Sequence, residues 1–254
     1  MDHSFMFMLK PYTLECVYVS DSIASVLGQP TVLGHRITEL LADGEADSVI
    51  RTLRTAVGRN KPAIILYLQF LDGRQGTYVP CQMAFSVAGN VIVGSVSLAS
   101  LDTIGATLRD QSAEEVIIAA TELTSHPGVV GHPAVNWTGT QFPRTALLLD
   151  RFTANCDIIH CSNNAILSET CVGARGGFLK YVVARDIVSV KTFLMNLKQS
   201  GIKVDSPTNV GFAYHTFALC VAGRDFLALS GEIRVSAVGI ASSDGIILVL
   251  KREP

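Results

Sequence analysis

Charged side chains are scarce in this 254-residue chain, and no cluster of basic residues occurs in it. Asp, Glu, Lys and Arg make up 17% of the sequence, with 20 basic residues against 22 acidic ones. Proteins that bind the phosphates of nucleic acids present a basic patch. We therefore expect no direct contact with nucleic acid.

Long apolar runs are missing as well, although the mean hydropathy is high at +0.37. A membrane-spanning helix needs roughly 20 consecutive apolar residues, and runs such as 245–250 are much shorter. Residues 1–10 contain neither a basic segment nor a small-residue cleavage site, so they do not resemble a secretory signal. We expect no membrane contact and an intracellular location, in the nucleus or the cytoplasm.

Catalytic motifs are absent from the sequence. It contains no Gly-x-Ser-x-Gly, no P-loop and no Gly-x-Gly-x-x-Gly after a predicted strand. The glycine-rich stretch 173–177 is not followed by the Lys-Ser or Lys-Thr that holds phosphate and Mg²⁺ in a P-loop. We predict that the protein is not an enzyme and assign no catalytic residue.

Metal-binding patterns are equally weak. The six cysteines are too few for a disulfide scaffold and form no Cys-x-x-Cys pair, so we expect free, mostly buried thiols. His160 is close to Cys156 and Cys161, but on a strand residues 156 and 160 share a face and 161 points away. His126 and His132 lie in a Gly/Pro-rich stretch without a nearby carboxylate or thiol. We assign no metal ligand.

A faint internal repeat is the main feature that the sequence does contain. Segments 5–20 and 145–160 both show an apolar run, a polar turn and a second run, which predicts a β-hairpin in each half. Leu9 aligns with Leu149, and Cys16 aligns with Cys156. A short helical stretch follows each hairpin, at 20–27 and 162–167, and then an amphipathic helix, at 45–57 and 186–198. Three strands complete each half, at 64–71, 77–87 and 91–98, and at 211–221, 232–240 and 246–251.

Two strands, several helices and three strands, occurring twice, predict an α+β fold in which each five-stranded antiparallel sheet has helices packed on one face. This order of elements is similar to that of the PAS domain. We assign residues 1–100 to a first PAS domain, 101–142 to a connector and 143–254 to a second PAS domain.

The second half contains a more specific pattern, in residues 149–153, 155–156, 161–164 and 243–252. This pattern resembles the non-photosensory PAS domains of the fungal white-collar blue-light and clock transcription regulators. It implies a tandem PAS part of a regulator that pairs with another PAS-domain protein, as a homodimer or a heterodimer.

The chain departs from cofactor-binding PAS proteins. The flavin-binding motif G-x-N-C-R-F-L-Q has its nearest match at Gly58-Arg59-Asn60-Lys61, where lysine replaces the reactive cysteine. This match also lies after the long helix, whereas the motif belongs to the helix before it. Oxygen-sensing PAS domains hold haem through a histidine on the long helix, and neither long helix here contains one. His35 and His215 remain outside candidates, for which a surface or hydrogen-bonded structural role is the simpler interpretation. We assign no cofactor and no cofactor-binding residue.

Two interpretations of the domain interiors stay open, a packed core or an apolar pocket in at least one domain. The bulky residues expected to face the interiors are Phe70, Met83, Phe85, Phe178, Tyr181, Phe212, Tyr214 and Phe217.

The connector is expected to contain a helix over about 112–124, because Ser112 and Glu115 form a capping box before an apolar run. Its predicted apolar stripe is the candidate interface, formed by Val116, Ile117, Ala120 and Leu123. The leading hypothesis is a tandem PAS protein–protein interaction module that dimerises through its sheet faces and this helix. The alternative is a PAS module that senses a small ligand or cofactor.

The candidate interface generates a first prediction. We expect Ile117→Glu to weaken dimerisation or binding to a PAS partner by about tenfold or more, because burying an isoleucine contributes roughly 1.5–3 kcal/mol and a charge opposes that burial. Size-exclusion chromatography with light scattering measures association, and circular dichroism checks that both domains fold. Unchanged association would remove Ile117 from the interface.

Overall fold

The computed structural model describes residues 4–99, 116–117, 143–200, 212–224 and 231–254. Two antiparallel sheets form in it, one in each half of the chain. Among these residues, no helix has the length and apolar character needed to cross a membrane.

The first sheet has the strand order β2-β1-β5-β4-β3, and a sixth, two-residue strand is added beyond β3. Its strands are β1 (Ser4–Leu9), β2 (Cys16–Val19), β3 (Ile64–Asp72), β4 (Thr77–Ala88), β5 (Val91–Leu98) and β6 (Val116–Ile117). Helices α1 (Ile23–Leu27) and α2 (Ala46–Gly58) cover its inner face, where Leu27, Val49 and Leu53 pack into the first core.

The second sheet repeats this plan, with the order β8-β7-β11-β10-β9. Its strands are β7 (Arg144–Leu149), β8 (Ile158–Cys161), β9 (Ala213–Leu219), β10 (Ile233–Ala241) and β11 (Ile246–Arg252). Helix α3 (Ile187–Ser200) covers its inner face through Val190, Phe193 and Leu197. The predicted fold class is confirmed, since each half forms an antiparallel α+β sheet with helices packed on one face.

The repeat extends to individual hydrogen bonds. The N–H of Met6 donates to Ser20 Oγ at 2.8 Å, and the N–H of Ala146 donates to Ser162 Oγ at 2.9 Å. The N–H of each serine returns to the carbonyl of the same partner, Met6 or Ala146, at 2.9 Å in both cases. The two serines therefore close the first hairpin of each domain in the same way.

The hairpins also share a β-bulge. Leu9 pairs with Cys16 and Leu149 pairs with Ile158, and in each hairpin the register shifts at the next pair. Val17 and Ile159 are the extra residues of these bulges. The expected alignment of Cys16 with Cys156 is therefore wrong. Cys16 corresponds to Ile158, because the second hairpin has a longer turn.

The outer faces of the two sheets pack against each other. The buried residues of this inter-sheet cluster are Met6, Met8, Ala63, Ile65, Ala84, Ala88, Val93, Ala146, Leu148, Val238, Ile240, Ile247 and Val249. Each sheet thus buries its inner face under helices and its outer face under the other sheet. The apolar sheet faces that were expected to pair with another PAS chain are buried within this one.

Arg144 makes a buried polar contact between the domains. Its buried guanidinium donates to the carbonyl of Asn60 at 2.6 Å and to the carbonyl of Val87 at 3.2 Å. Burial lowers the pKa of Arg144 to about 10. Asn60 belongs to the stretch 58–61 that resembles part of the flavin motif, and in this fold that stretch contributes to the domain interface.

The predicted connector helix is wrong at Val116 and Ile117, which form strand β6. Val116 pairs with Ile65 and Ile117 pairs with Ile64, antiparallel to β3. β-Branched residues fit a pleated edge well, and pairing satisfies backbone groups that β3 would otherwise expose. Ala120 and Leu123 lie outside the described residues, and the interface role of all four residues stays a prediction.

The short helix expected at 162–167 does not form, and an irregular turn takes its place. Asn163 Oδ1 accepts the N–H of Ala165 at 3.0 Å, and Thr145 Oγ1 accepts the N–H of Ile166 at 3.1 Å. Such side-chain acceptors compete with helical bonds, so the chain turns without forming a helix here.

Arg144→Ala should lower the free energy of unfolding by about 2–3 kcal/mol, because it deletes charged hydrogen bonds and leaves buried carbonyls of the first domain without a donor. Urea denaturation measures this change. Arg185→Ala is the matched control, since Arg185 forms an exposed ion pair with Glu232 and its loss should change stability little. Equal effects of the two substitutions would contradict the assigned role of Arg144.

Candidate functional site

The inner surface of the second sheet, beneath α3, is the candidate site. Gly239 in β10 allows α3 to approach the sheet closely, because a Cβ there would lie 2.4 Å from Leu197 Cδ1 and 3.0 Å from Phe193 Cζ. Helix α3 therefore forms the cover of the site, and the odd-numbered residues of β9 form part of its floor.

His215 projects from β9 into this space, beside Ala237 of the neighbouring strand. Its ring centroid lies 5.4 Å from that of Phe193 and 5.9 Å from that of Phe217, with the planes tilted by 30° and 33°. Phe217 meets Phe178 edge-on at 6.0 Å. The imidazole thus extends a row of aromatic rings that links the helix to the sheet.

The Nε2 atom of His215 is buried and has no hydrogen-bond partner among the described residues. A buried polar atom without a partner costs about 1–3 kcal/mol. Such atoms are rare in folded proteins, and each one requires an explanation such as a bound water or ligand. Depending on its tautomer, Nε2 would donate or accept one hydrogen bond.

Three thiols lie in the same core, those of Cys156, Cys161 and Cys171. Cys161, at the end of β8, donates to the carbonyl of Asn163 at 3.2 Å. A side-chain hydrogen bond with Cys171 lowers the pKa of Cys161 and raises the pKa of Cys171. Burial, and then the nearby Cys171, raises the pKa of Tyr181. The interior of the second domain therefore contains imidazole, thiol and phenol groups.

The first domain lacks such a set among its described residues. Its buried side chains include no histidine and no tyrosine. Burial raises the pKa of Cys16 to about 11, with a smaller effect of Glu39, and raises the pKa of Cys81 to about 12. These thiols are neutral and belong to a core of apolar residues, which is an ordinary environment for a buried cysteine.

The sequence candidates fall in separate places. His35 is exposed and its Nδ1 lies 3.2 Å from a carboxylate oxygen of Glu39. His160 is exposed, whereas Cys156 and Cys161 are both buried in the second core. The expectation that residues 156 and 160 share a face is wrong, because the bulge at Ile159 shifts the alternation.

No metal-binding group of three His, Cys, Asp or Glu side chains forms within the described parts of the chain. All six cysteines are free and buried, as predicted. His126 and His132 lie outside the described residues.

Most of the expected interior residues are buried in the two cores, namely Phe70, Met83, Phe85, Phe178, Tyr181 and Phe217. The prediction is wrong for Phe212, which packs against the inter-sheet cluster, and for Tyr214, which is 42% exposed. Strand alternation could have predicted this, since residues 212 and 214 point to the opposite face of the sheet from Phe217. The same alternation places His215 on the inner face.

Comparison with known proteins finds no matching protein-family model and no matching curated protein. Solved structures that match include PAS domains. The N-terminal domain of a diguanylate cyclase with a PAS/PAC sensor from Marinobacter aquaeolei is 14% identical, with a TM-score of 0.33, and the match covers 37% of this chain and 94% of that one.

Two further matches have similar values. The PAS domain of the RpfR quorum-sensing receptor from Cronobacter turicensis, in complex with BDSF, is 12% identical with a TM-score of 0.35, covering 39% of this chain and 97% of that one. The PAS-B domain of Cycle from Drosophila melanogaster, with bound ethylene glycol, is 12% identical with a TM-score of 0.33, covering 37% and 98%.

His215→Leu should raise the free energy of unfolding by about 1 kcal/mol, because it removes an unpaired buried nitrogen and keeps an apolar side chain between the two phenylalanines. Thermal and urea denaturation measure the change. His35→Leu makes the same substitution at an exposed histidine and should leave stability nearly unchanged. A destabilised His215→Leu protein would mean that the imidazole is already satisfied in the folded state.

Proposed function

We propose that this chain is a non-enzymatic, intracellular signalling module whose second PAS domain binds a small, flat and mostly apolar ligand. The observation that carries the proposal is the unpartnered Nε2 of His215, held between Phe193 and Phe217. Apolar sites with one oriented polar group are typical of small-molecule binding. A ligand would stack on the rings and place one polar atom against the imidazole.

The contacts around α3 provide a route from this site to the first domain. Arg151 is buried, and its guanidinium donates both to the carbonyl of Lys198, near the end of α3, and to the carbonyl of Ser242, after β10. Ser242 Oγ accepts a hydrogen bond from Ser4 Oγ of the first domain at 3.4 Å. A ligand that displaces α3 would therefore change a polar contact between the two domains.

Arg151 and Ser242 also connect the two segments that carry the white-collar resemblance. Arg151 lies in the segment 149–153, and Ser242 directly precedes the segment 243–252. In this segment Asp244 accepts a hydrogen bond from Ser22 of the first domain. The residues that resemble the white-collar regulators thus have a structural use in joining the domains.

A second candidate function, partner binding, is favoured by exposed apolar residues that recur in both domains. Tyr12 and Phe152 stand three residues after Leu9 and Leu149, and they are 81% and 78% exposed. The bulge residues Val17 and Ile159 are also exposed, and so are Leu33 and Val172, which precede Gly34 and Gly173. The same chemistry at equivalent places of two divergent repeats favours use as a contact surface.

On this second proposal the partner is another PAS-domain protein, as a homodimer or a heterodimer, and the module belongs to a white-collar-type transcription regulator of light or clock responses in the nucleus. Because the outer sheet faces are buried within the chain, the partner would contact the hairpin edges. Size-exclusion chromatography with light scattering, with and without such a partner, tests it. A chain that remains monomeric with every PAS partner would exclude it.

The ligand proposal predicts that indole, a flat apolar probe with one N–H donor, binds the purified chain. We expect His215→Leu to weaken this binding about tenfold through the loss of one buried hydrogen bond, and His35→Leu to leave it unchanged. Calorimetric titration measures affinity. Native mass spectrometry and a visible absorption spectrum identify any molecule retained from the expression host. A chain that purifies empty and binds indole equally in all three forms would contradict the proposal.

A further inference from the structure

The outer edge of β9 corresponds to the outer edge of β3. The N–H of Gln69 in β3 donates to the Glu45 carboxylate at 2.8 Å, and the N–H of Ala218 in β9 donates to the Asp186 carboxylate at 2.8 Å. Each acid stands at the start of the long helix of its domain. The carbonyls of Gln69 and Ala218 likewise each accept an N–H from the chain before that helix, at 3.0 Å. Gln69 and Ala218 are therefore equivalent positions.

The equivalence of Gln69 and Ala218 aligns the earlier residues of β3 and β9 one by one. Ile65 corresponds to Tyr214, and Ile64 corresponds to Ala213. In the first domain both isoleucines are paired with β6. In the second domain, the described residues provide no strand beyond β9, whose only outer contact of this kind is a bridge between Leu219 and Val182 at its far end.

The backbone of this part of β9 faces outward at alternate residues. Both the N–H and the carbonyl of Ala218 bond outside the sheet, so by alternation those of Thr216 and Tyr214 point the same way. The ladder with β10 uses the odd-numbered residues between them. Thr216 and Tyr214 thus offer the edge groups that Ile65 offers to Val116 in the first domain.

We propose that the outer edge of β9, at Tyr214 and Thr216, binds an extended segment of a partner protein by antiparallel strand addition. The segment presents a β-branched residue opposite Tyr214, as Val116 does opposite Ile65, where it packs beside the exposed tyrosine ring. The next residue is a large aliphatic one, because Ala213 is much smaller than the buried Ile64 that it replaces.

The partner is a different protein rather than a second copy of this chain. Each copy has one Val116–Ile117 segment, and that segment is already paired with its own β3. A second copy therefore has no such segment free to donate. The ligand site proposed beneath α3 uses the side chain of His215 on the inner face of the same strand. Strand addition instead uses the outward backbone groups of Tyr214 and Thr216 and requires no ligand.

A fluorescent peptide with the sequence of residues 112–121 serves as the probe, and its anisotropy is followed during titration with the full chain. We expect saturable binding of one peptide per chain. Thr216→Pro, which removes an outward N–H that the sheet does not use, should weaken binding about tenfold. Thr216→Val keeps this N–H and should bind within about twofold of the unaltered chain. Thermal unfolding checks that both variants are folded.

A second set of titrations uses the unaltered protein and changes the peptide instead. N-methylation of the peptide at Val116 removes the amide that faces Tyr214 and should abolish binding, whereas N-methylation at Ile117 should preserve it. Binding that ignores the methyl position, or that is equal in the Pro and Val variants, would overturn the proposal. Self-association of the chain that Thr216→Pro abolishes would also overturn it, since the occupant would then be a second copy.

Discussion

The arrangement of this chain depends on the burial of two apolar sheet faces against each other. Each sheet already has one face covered by helices, so its other face must be buried elsewhere. Apolar burial is strong but has no direction, and by itself it would allow the two sheets to slide or rotate. Polar contacts supply the direction, because the Arg144 guanidinium bonds the neighbouring carbonyls of Asn60 and Val87 and Ser4 bonds Ser242 elsewhere on the interface.

This internal pairing decides which surfaces remain for function. The sheet faces are occupied, so ligands and partners are restricted to the inner surfaces, the hairpin edges and the strand edges. It also joins the two domains, since polar groups that hold α3 are bonded to groups that reach the first domain. Arg151 illustrates this, because it contacts α3 on one side and the turn that reaches Ser4 on the other.

The local spacing of apolar residues and the turn residues were sufficient to predict most of the helices and strands. Strand β5 matches the prediction residue for residue, because a Gly-Asn turn marks its start, and α2 and α3 lie within two residues of their predicted limits. The errors arise where distant contacts override local pattern. Val116 and Ile117 belong to a stretch whose apolar residues, with Ala120 and Leu123, recur at helical spacing, yet the two residues pair with the edge of β3 as a strand.

The candidate site was harder to predict for the same reason. Alternation alone places His215 on the inner face, but its significance depends on Phe193, which belongs to a different element. That Nε2 lacks a partner is a property of the whole packed core, and no motif encodes it. At Ile159 alternation gave a wrong prediction. The bulge adds one residue there, so the faces expected for Cys161 and His160 are exchanged.

The two bulges have a consequence for the limits of assembly. A sheet that accepts a strand at one edge can grow into a fibre only if the added chain offers a second regular edge for the next one. At β2 and β8 the bulges at Val17 and Ile159 interrupt the opposite edges of both sheets. Copies of this chain therefore offer no regular second edge at β2 or β8, and each copy would take up one partner segment without growing into a fibre.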